Sequence, residues 1–281
     1  MRIGCFALIE PFATMRRQFE LIREMGFDAA DLTDCHDGAC LGNEFGFSPS
    51  ISLESHPARI RGMLGDTGIE LTAVCAHANL LDPPGPDVFA TSQIIKALQL
   101  AHFLGVGQVI TTEGDPHTPF GQNLTDDQRL FAICERLVQP IAWARQLGVR
   151  LLIETHGVVT DRIDKTRELL DALDADETVG LNLDTGNLWL GGGDPVAYVE
   201  VFGPRIEHVH WKDMPESWEP RRGELHGCGM ATIPLGEGVV GIDRVVDALK
   251  ANGFDGPTTL EIAGVEPVQT SARRLRRWWD A

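Results

Sequence analysis

Short runs of apolar and β-branched residues alternate with longer stretches whose apolar positions recur every three to four residues. The short runs predict strands over Ile3–Leu8, Phe27–Leu32, Glu70–His77, Gln108–Thr112, Arg150–His156, Val179–Asp184, Ile206–Lys212 and Thr258–Ile262. Helices are expected after each, near Thr14–Met25, His56–Thr67, Val88–Leu104, Asp127–Leu147, Arg162–Leu173, Pro195–Phe202, Ile242–Ala251 and Val268–Trp279. Local chemistry marks the boundaries. Thr125-Asp126-Asp127-Gln128 reads as a capping box. Asp194-Pro195 reads as an N-cap followed by proline at the first helical position, with Gly191-Gly192-Gly193 as the turn leading into it. Gly26, Gly68, Gly105, Gly148 and Gly253 each stand just past a helical run, where a left-handed residue is wanted.

Eight strand–helix units share 281 residues, about 35 residues each, enough for a parallel strand and its crossover. The architecture that closes eight of them is the (β/α)₈ barrel of the α/β class. No proline- or serine-rich linker interrupts the chain, so residues 1–281 are read as one domain. A doubly wound sheet is the weaker alternative, because no strand is followed by G-x-G-x-x-G. Three connections after strand C-termini are long, near Thr33–Ser55, Ala78–Asp87 and Asp213–Gly241. In a barrel that end carries the active site. Phe12, Phe45 and Phe47 are candidates to close over its mouth or to form an oligomer contact.

Composition narrows the classes of partner. Lys+Arg is 24 against Asp+Glu 41, a formal charge of −17, which opposes nucleic acid and anionic membranes. No stretch approaches the length and apolarity of a membrane span. The first apolar run reads as a strand rather than as a secretion signal. The six cysteines form no C-x-x-C pair, so a reduced, cytoplasmic protein is expected.

The chemistry lies at the ends of the last four strands. They read Leu152-Ile153-Glu154-Thr155-His156, Leu181-Asn182-Leu183-Asp184-Thr185, Glu207-His208-Val209-His210-Trp211-Lys212 and Thr259-Leu260-Glu261-Ile262. An acid inside an apolar strand costs several kcal/mol unless it is paired or holds a metal. Glu154, Asp184, His210 and Glu261, on consecutive strands, are expected to converge on one divalent cation. Alternation along the seventh strand turns His208, His210 and Lys212 inward and Val209 and Trp211 toward the helices. His208 and His210 differ by about 6.6 Å along it. His210, nearer the mouth, is the expected ligand, and His208 a support or substrate contact.

These motifs, Glu154-x-His156-Gly157, Asp184-Thr185-Gly186-Asn187, His208-x-His210-x-Lys212-Asp213 and Leu260-Glu261-Ile262, resemble those of the sugar phosphate isomerase/epimerase superfamily, the xylose isomerase-like or AP-endonuclease-2-like TIM barrels. The resemblance implies that Glu154, Asp184, His210 and Glu261 hold the metal and that Glu154 and Glu261 are the acid/base pair. Ketohexose 3-epimerases of that group resemble Asp-x-x-His on the sixth strand, where this chain has Asn187. Its own versions are more similar to branches acting on inososes or oxidised glycosides. The DNA-repair members use further histidines from early strands, for which only His77 is available here.

Three carboxylates and one imidazole favour Mn²⁺, Mg²⁺ or Co²⁺, with Zn²⁺ also accommodated. The expected function is a metal-dependent isomerase or epimerase of a ketose, inosose or keto-glycoside, acting by proton abstraction beside the carbonyl. The same residues serve a lyase or dehydratase, and a non-catalytic metal-binding subunit is the remaining alternative. His156, Asn187, His208 and Lys212 are expected to contact substrate, with Lys212 steadying an oxyanion or pairing with Asp213 or Glu237. Trp189, Trp211 and Trp218 are weaker candidates for stacking on a sugar face. The expected partner is a small sugar or cyclitol, with a homo-oligomer allowed.

Overall fold

The structure is a computed structural model that describes residues 1–10, 13–33, 56–81, 89–114, 118, 120–228 and 231–281. Phe12, Phe45, Phe47 and most of the first two long connections lie outside the described residues. Eight parallel strands close a barrel in chain order. They are β1 (Arg2–Phe6), β2 (Ala29–Thr33), β3 (Glu70–Ala76), β4 (Gln108–Thr111), β5 (Arg150–Glu154), β6 (Val179–Asp184), β7 (Ile206–Trp211) and β8 (Pro257–Leu260). The ring closes through β1 and β8, with Cys5 opposite Leu260.

Around it run α1 (Met15–Glu24), α2 (Pro57–Thr67), α3 (Phe89–Leu104), α4 (Asp126–Leu147) and α5 (Ile163–Leu173). They are followed by α6 (Thr185–Leu190), α7 (Pro195–Phe202), α8 (Ile242–Ala251) and α9 (Val265–Asp280). All eight expected strands and the eight helices expected after them are present, with ends displaced by up to three residues. The short α6 follows β6 directly, between the expected strand and the expected glycine turn, where the sequence predicted no element. Its start is cut by Asp184, whose side chain accepts from Gly186 N and Asn187 N.

The expected caps form. Thr125 and Gln128 exchange side-chain-to-backbone bonds at the start of α4, and Asp194 accepts from Val196 N and Ala197 N before α7. Gly148 closes α4 at φ 65, a conformation that disfavours side chains with a Cβ. The larger core lies between barrel and helices and includes Val209 and Trp211. A smaller one, Phe6, Leu8, Ala73, Cys75, Ile110 and Leu152, lies inside the barrel itself, so the barrel is packed rather than open.

Two irregularities bear on the site. In the β2–β3 ladder Ala30 pairs with Leu71 but Asp31 with Ala73, so Thr72 is an extra residue. In the β6–β7 ladder Leu181 pairs with Ile206 but Asn182 with His208, so Glu207 is extra. Such bulges re-aim the side chains that follow. No helix among the described residues is long and apolar enough to cross a membrane. Replacing the α4 cap by Thr125→Ala should lower unfolding stability by about 0.5–2 kcal/mol, read by denaturant titration. Divalent-metal binding should be unchanged, since α4 only buttresses the barrel.

Candidate metal centre

Register explains how side chains on different rungs meet. Glu154 is opposite Asn182, Asp184 is opposite His210, and His210 is opposite Thr259. From Glu154 to Glu261 the site therefore climbs two residues between β5 and β6 and two more between β7 and β8. Strands in such a barrel tilt by about 36°, so residues level along the barrel axis are staggered along the strands. Glu261 follows the last residue of β8 and keeps to the ladder through a bond from its N–H to Trp211 O, 3.2 Å.

The four side chains meet in one buried cluster. His210 Nδ1 lies 3.1 Å from Glu154 Oε2 and 3.0 Å from Glu261 Oε2. Glu154, Asp184 and His210 each turn a donor atom into a space less than 4.8 Å across. His210 Nδ1 and Glu261 Oε2 are buried and make no hydrogen bond, and Asp184 Oδ2 faces only the Lys212 ammonium. Donors bound side by side to an ion at about 2.1 Å stand about 3 Å apart. Buried donors this close and without hydrogen bonds fit a small divalent cation. The electrostatics agree. Burial pushes the Asp184 carboxyl up to about 7; Lys212 opposes the rise and the charges of Glu261 and Glu154 add to it. The cluster thus has room for another positive charge.

Each ligand candidate is held from outside the cradle. Asp184 Oδ1 caps α6 through Gly186 N at 3.0 Å and Asn187 N at 2.8 Å, leaving Oδ2 for the cradle. Glu154 accepts from Asn182 Nδ2 at 2.9 Å and Asn187 Nδ2 at 3.2 Å. Asn187 is itself fixed by Cys228 N, 2.9 Å from its Oδ1. Burial opposes the charge on Glu154, but His210, His156 and His77 hold its carboxyl well below the usual range. Lys212 Nζ sits 2.9 Å from Asp184 Oδ2 and 2.8 Å from Glu261 Oε1. A Cβ on Gly186 would stand 2.6 Å from Lys212 Cβ, which explains the glycine after Asp184-Thr185.

The sequence matches the family described as "Xylose isomerase-like TIM barrel" over residues 19–281. The chain belongs to this family. Within the xylose isomerase-like barrels, a curated relative is an inosose dehydratase from Lacticaseibacillus casei, 30% identical over 176 residues, 57% of this chain and 56% of that one. The chain spans about half the length of the curated relatives it matches. The fold is shared with a D-tagatose 3-epimerase-like protein at TM-score 0.79 and 19% identity, covering 100% of this chain and 97% of the other. It is shared also with IOLI protein carrying a bound zinc atom, at TM-score 0.76 and 16% identity, covering 100% and 98%.

The remaining candidates fall in different places. His156, partly exposed, turns Nδ1 toward Glu154 Oε1 at 3.4 Å. Asn187 is fully buried, with its amide spent on Glu154 and Cys228. His208 lies one layer deeper, its Nδ1 3.0 Å from Gln108 Oε1 and its Nε2 3.1 Å from Thr259 Oγ1. Lys212 pairs with Asp184 and Glu261 rather than with Asp213 or Glu237. Asp213 instead collects N–H groups of Met214, Gly236, Gly238 and Val240, and Glu237 meets Arg274. Trp211 is buried in the core, and Trp189 is buried in α6 beneath the Arg222 guanidinium.

Sequence reasoning passed over Asp31, Asn182 and Glu113. Asp31 reaches both inward histidines of β7. Asn182 orients Glu154. Glu113, fully buried, accepts from Val159 N and Thr160 N and shapes the loop after His156. Burial raises the Glu113 carboxyl, against those backbone bonds. An acid in the apolar run Ala29–Thr33 was the visible signal for Asp31.

Asp184→Asn, which keeps the helix cap, and His210→Ala should each sharply lower divalent-metal content, read by elemental analysis. Circular dichroism should be that of the parent. Protons on Asp184, whose carboxyl is pushed up to about 7, and on His210, whose imidazole Glu154 holds well above its usual value against burial, both compete with the ion, so metal affinity should rise with pH through 7 and continue to rise above it. Unchanged metal content in both variants would remove the site.

Proposed function

We propose that this chain is a divalent-metal-dependent enzyme that removes the proton beside a carbonyl of a small sugar or cyclitol, with residues 1–281 acting as one catalytic domain. The observation that carries this reading is the convergence of His210 Nδ1 and Glu261 Oε2, buried and without a hydrogen bond, with Glu154 and Asp184 at the barrel mouth, where Asp184 Oδ2 faces only the Lys212 ammonium. Held by Glu154, Asp184, His210 and Glu261, the ion would polarise the carbonyl and stabilise the negative charge formed on proton loss. Mn²⁺, Mg²⁺ and Co²⁺ suit this oxygen-rich set, and Zn²⁺ fits it as well.

The chain's own residues supply the proton movements. Glu154, held ionised by its imidazole neighbours, takes the proton. Glu261, on the other side of His210 Nδ1, would return one after taking it up from solvent, since burial favours its neutral form while Lys212 and His210 hold it ionised at rest. Return to the opposite face of the same carbon is epimerisation, and return to the neighbouring carbon is isomerisation. Asn187 and His156 align Glu154. His156, nearest to solvent, and Lys212 face the substrate. His208, closed in by Gln108 and Thr259, supports from below.

One observation favours dehydration as a second reading. Lys212 pairs with Glu261 and not with Glu154, so the two carboxylates are unequal. One is held by amides and imidazoles. The other carries an ammonium that Asp184 and Glu261 hold firmly protonated against burial, which would steady the negative charge on a departing hydroxyl. The similarity to an inosose dehydratase points the same way.

One incubation separates the readings. Metal-loaded protein with ketoses, inososes and keto-glycosides in deuterated water is expected to place deuterium beside the carbonyl with the skeleton intact. A dehydratase instead yields a product lighter by one water, with a new ultraviolet absorption. Glu154→Gln and Glu261→Gln should each reduce turnover by roughly 10²–10⁴. Neither product from a broad panel would favour the non-catalytic subunit.

A further inference from the structure

Asp31 stands on β2, across the barrel from the ligand strands, and no role in the cradle falls to it. It is fully buried. Its Oδ2 lies 3.0 Å from His210 Nε2, with hydrogen-bond geometry, and 3.1 Å from His208 Nε2. Its Oδ1 accepts from Thr72 Oγ1 at 2.5 Å. Thr72 is the extra residue of the β2–β3 bulge and also bonds Ala30 O at 3.1 Å. The bulge therefore does a definite thing: it brings a hydroxyl onto the carboxylate that faces His210.

An ionised carboxylate can only accept. The ring proton shared with it sits on Nε2, so in the neutral ring that a metal ion requires, the nitrogen with the lone pair is Nδ1. That is the atom 3.1 Å from Glu154 Oε2 and 3.0 Å from Glu261 Oε2. We propose that Asp31 is the positioning residue of the metal centre: by holding the Nε2 proton of His210 it fixes the ring and presents Nδ1 to the ion. The inference rests on the metal reading above and adds a residue that the ligand motifs do not contain. Partners of this kind raise ligand basicity and typically account for about 10–100-fold in metal affinity.

A competing geometry uses the same atoms. Asp31, Cys75 and His210 together offer three donor atoms within 4.8 Å of one another, which would hold a second ion through Nε2. The bonds already made argue against it. Asp31 is engaged at both oxygens, by His210 and by Thr72. Cys75 sits in the apolar barrel core with Phe6, Leu8 and Ile110, where burial keeps its thiol protonated.

The test is a long-range ¹H–¹⁵N spectrum of histidine-labelled, Zn²⁺-loaded protein, with Zn²⁺ affinities from chelator competition. The expected result is Zn²⁺ on Nδ1 and the proton on Nε2 of His210, with one ion per chain. Asp31→Ala should weaken Zn²⁺ binding by about 10–100-fold. Asp31→Asn, which keeps an accepting oxygen, should weaken it less, and Thr72→Val should move it in the same direction. Zn²⁺ on Nε2, or a second ion lost in both Asp31→Ala and Cys75→Ala, would overturn the proposal. If the Asp31 variants do not fold, the nitrogen assignment in the parent protein still decides. If the parent binds no divalent ion, the metal reading fails. The metal-free spectrum then shows separately whether the Nε2 proton is hydrogen-bonded to Asp31, and its absence there would overturn the inference.

Discussion

The structure turns on burying Asp31, Glu154, Asp184 and Glu261 in the mouth of a closely packed barrel. A buried carboxylate left unpaired costs several kcal/mol, and like charges at close range add to that. Each acid is accordingly assigned its own donors. Asp31 has two imidazoles and a threonine hydroxyl, Glu154 has two amides, Asp184 has the backbone of α6, and Glu261 has Lys212. The atoms left over are the ones that face one another.

The barrel supplies this arrangement through features that act together. Tilt brings residues from different rungs to one height, so Glu154 and Glu261 meet although their registers differ. The extra residue Glu207 sets His208 opposite Asn182 and His210 opposite Asp184. The immediate start of α6 after β6 uses Asp184 twice, as cap and as cradle wall. Gly186 then permits the helix to pass against Lys212. A larger residue there would push apart the two elements that carry Asp184 and the ammonium.

Much of this was legible in the sequence. Acids at strand ends stand out against apolar runs, and period-two alternation assigns their direction. Val209 and Trp211 in the helix-facing core, with His208, His210 and Lys212 inside, follow from that rule alone. Asp31 obeys the same rule, but no recognisable motif surrounds it on β2. Bulges were not legible, since a ladder with an extra residue has no signature in Ala29–Thr33 or Ile206–Trp211. The partner of Lys212 was not legible either. Asp213 and Glu237 are near it or plausible in sequence, whereas Asp184 and Glu261 become its neighbours only when the barrel closes.

Lys212 also accounts for the charge of ion the cradle suits. Glu154, Asp184 and Glu261 contribute three negative charges, and the ammonium between Asp184 and Glu261 removes one. Asp31 is compensated separately by the donors it faces, on the far side of His210. The cradle is left at −2, which a divalent ion brings to zero and a monovalent one does not. Without an ion the surplus has two other outlets, a proton on Asp184 near neutral pH and a second proton on the His210 imidazole, which Glu154 holds well above its usual value against burial. Lys212 thus acts as a built-in counter-ion in the folded chain. Because it leans on Glu261 alone among the two proposed acid/base carboxylates, it also gives the centre a donor side and an acceptor side. That polarity suits removing a proton on the Glu154 side and delivering one on the other.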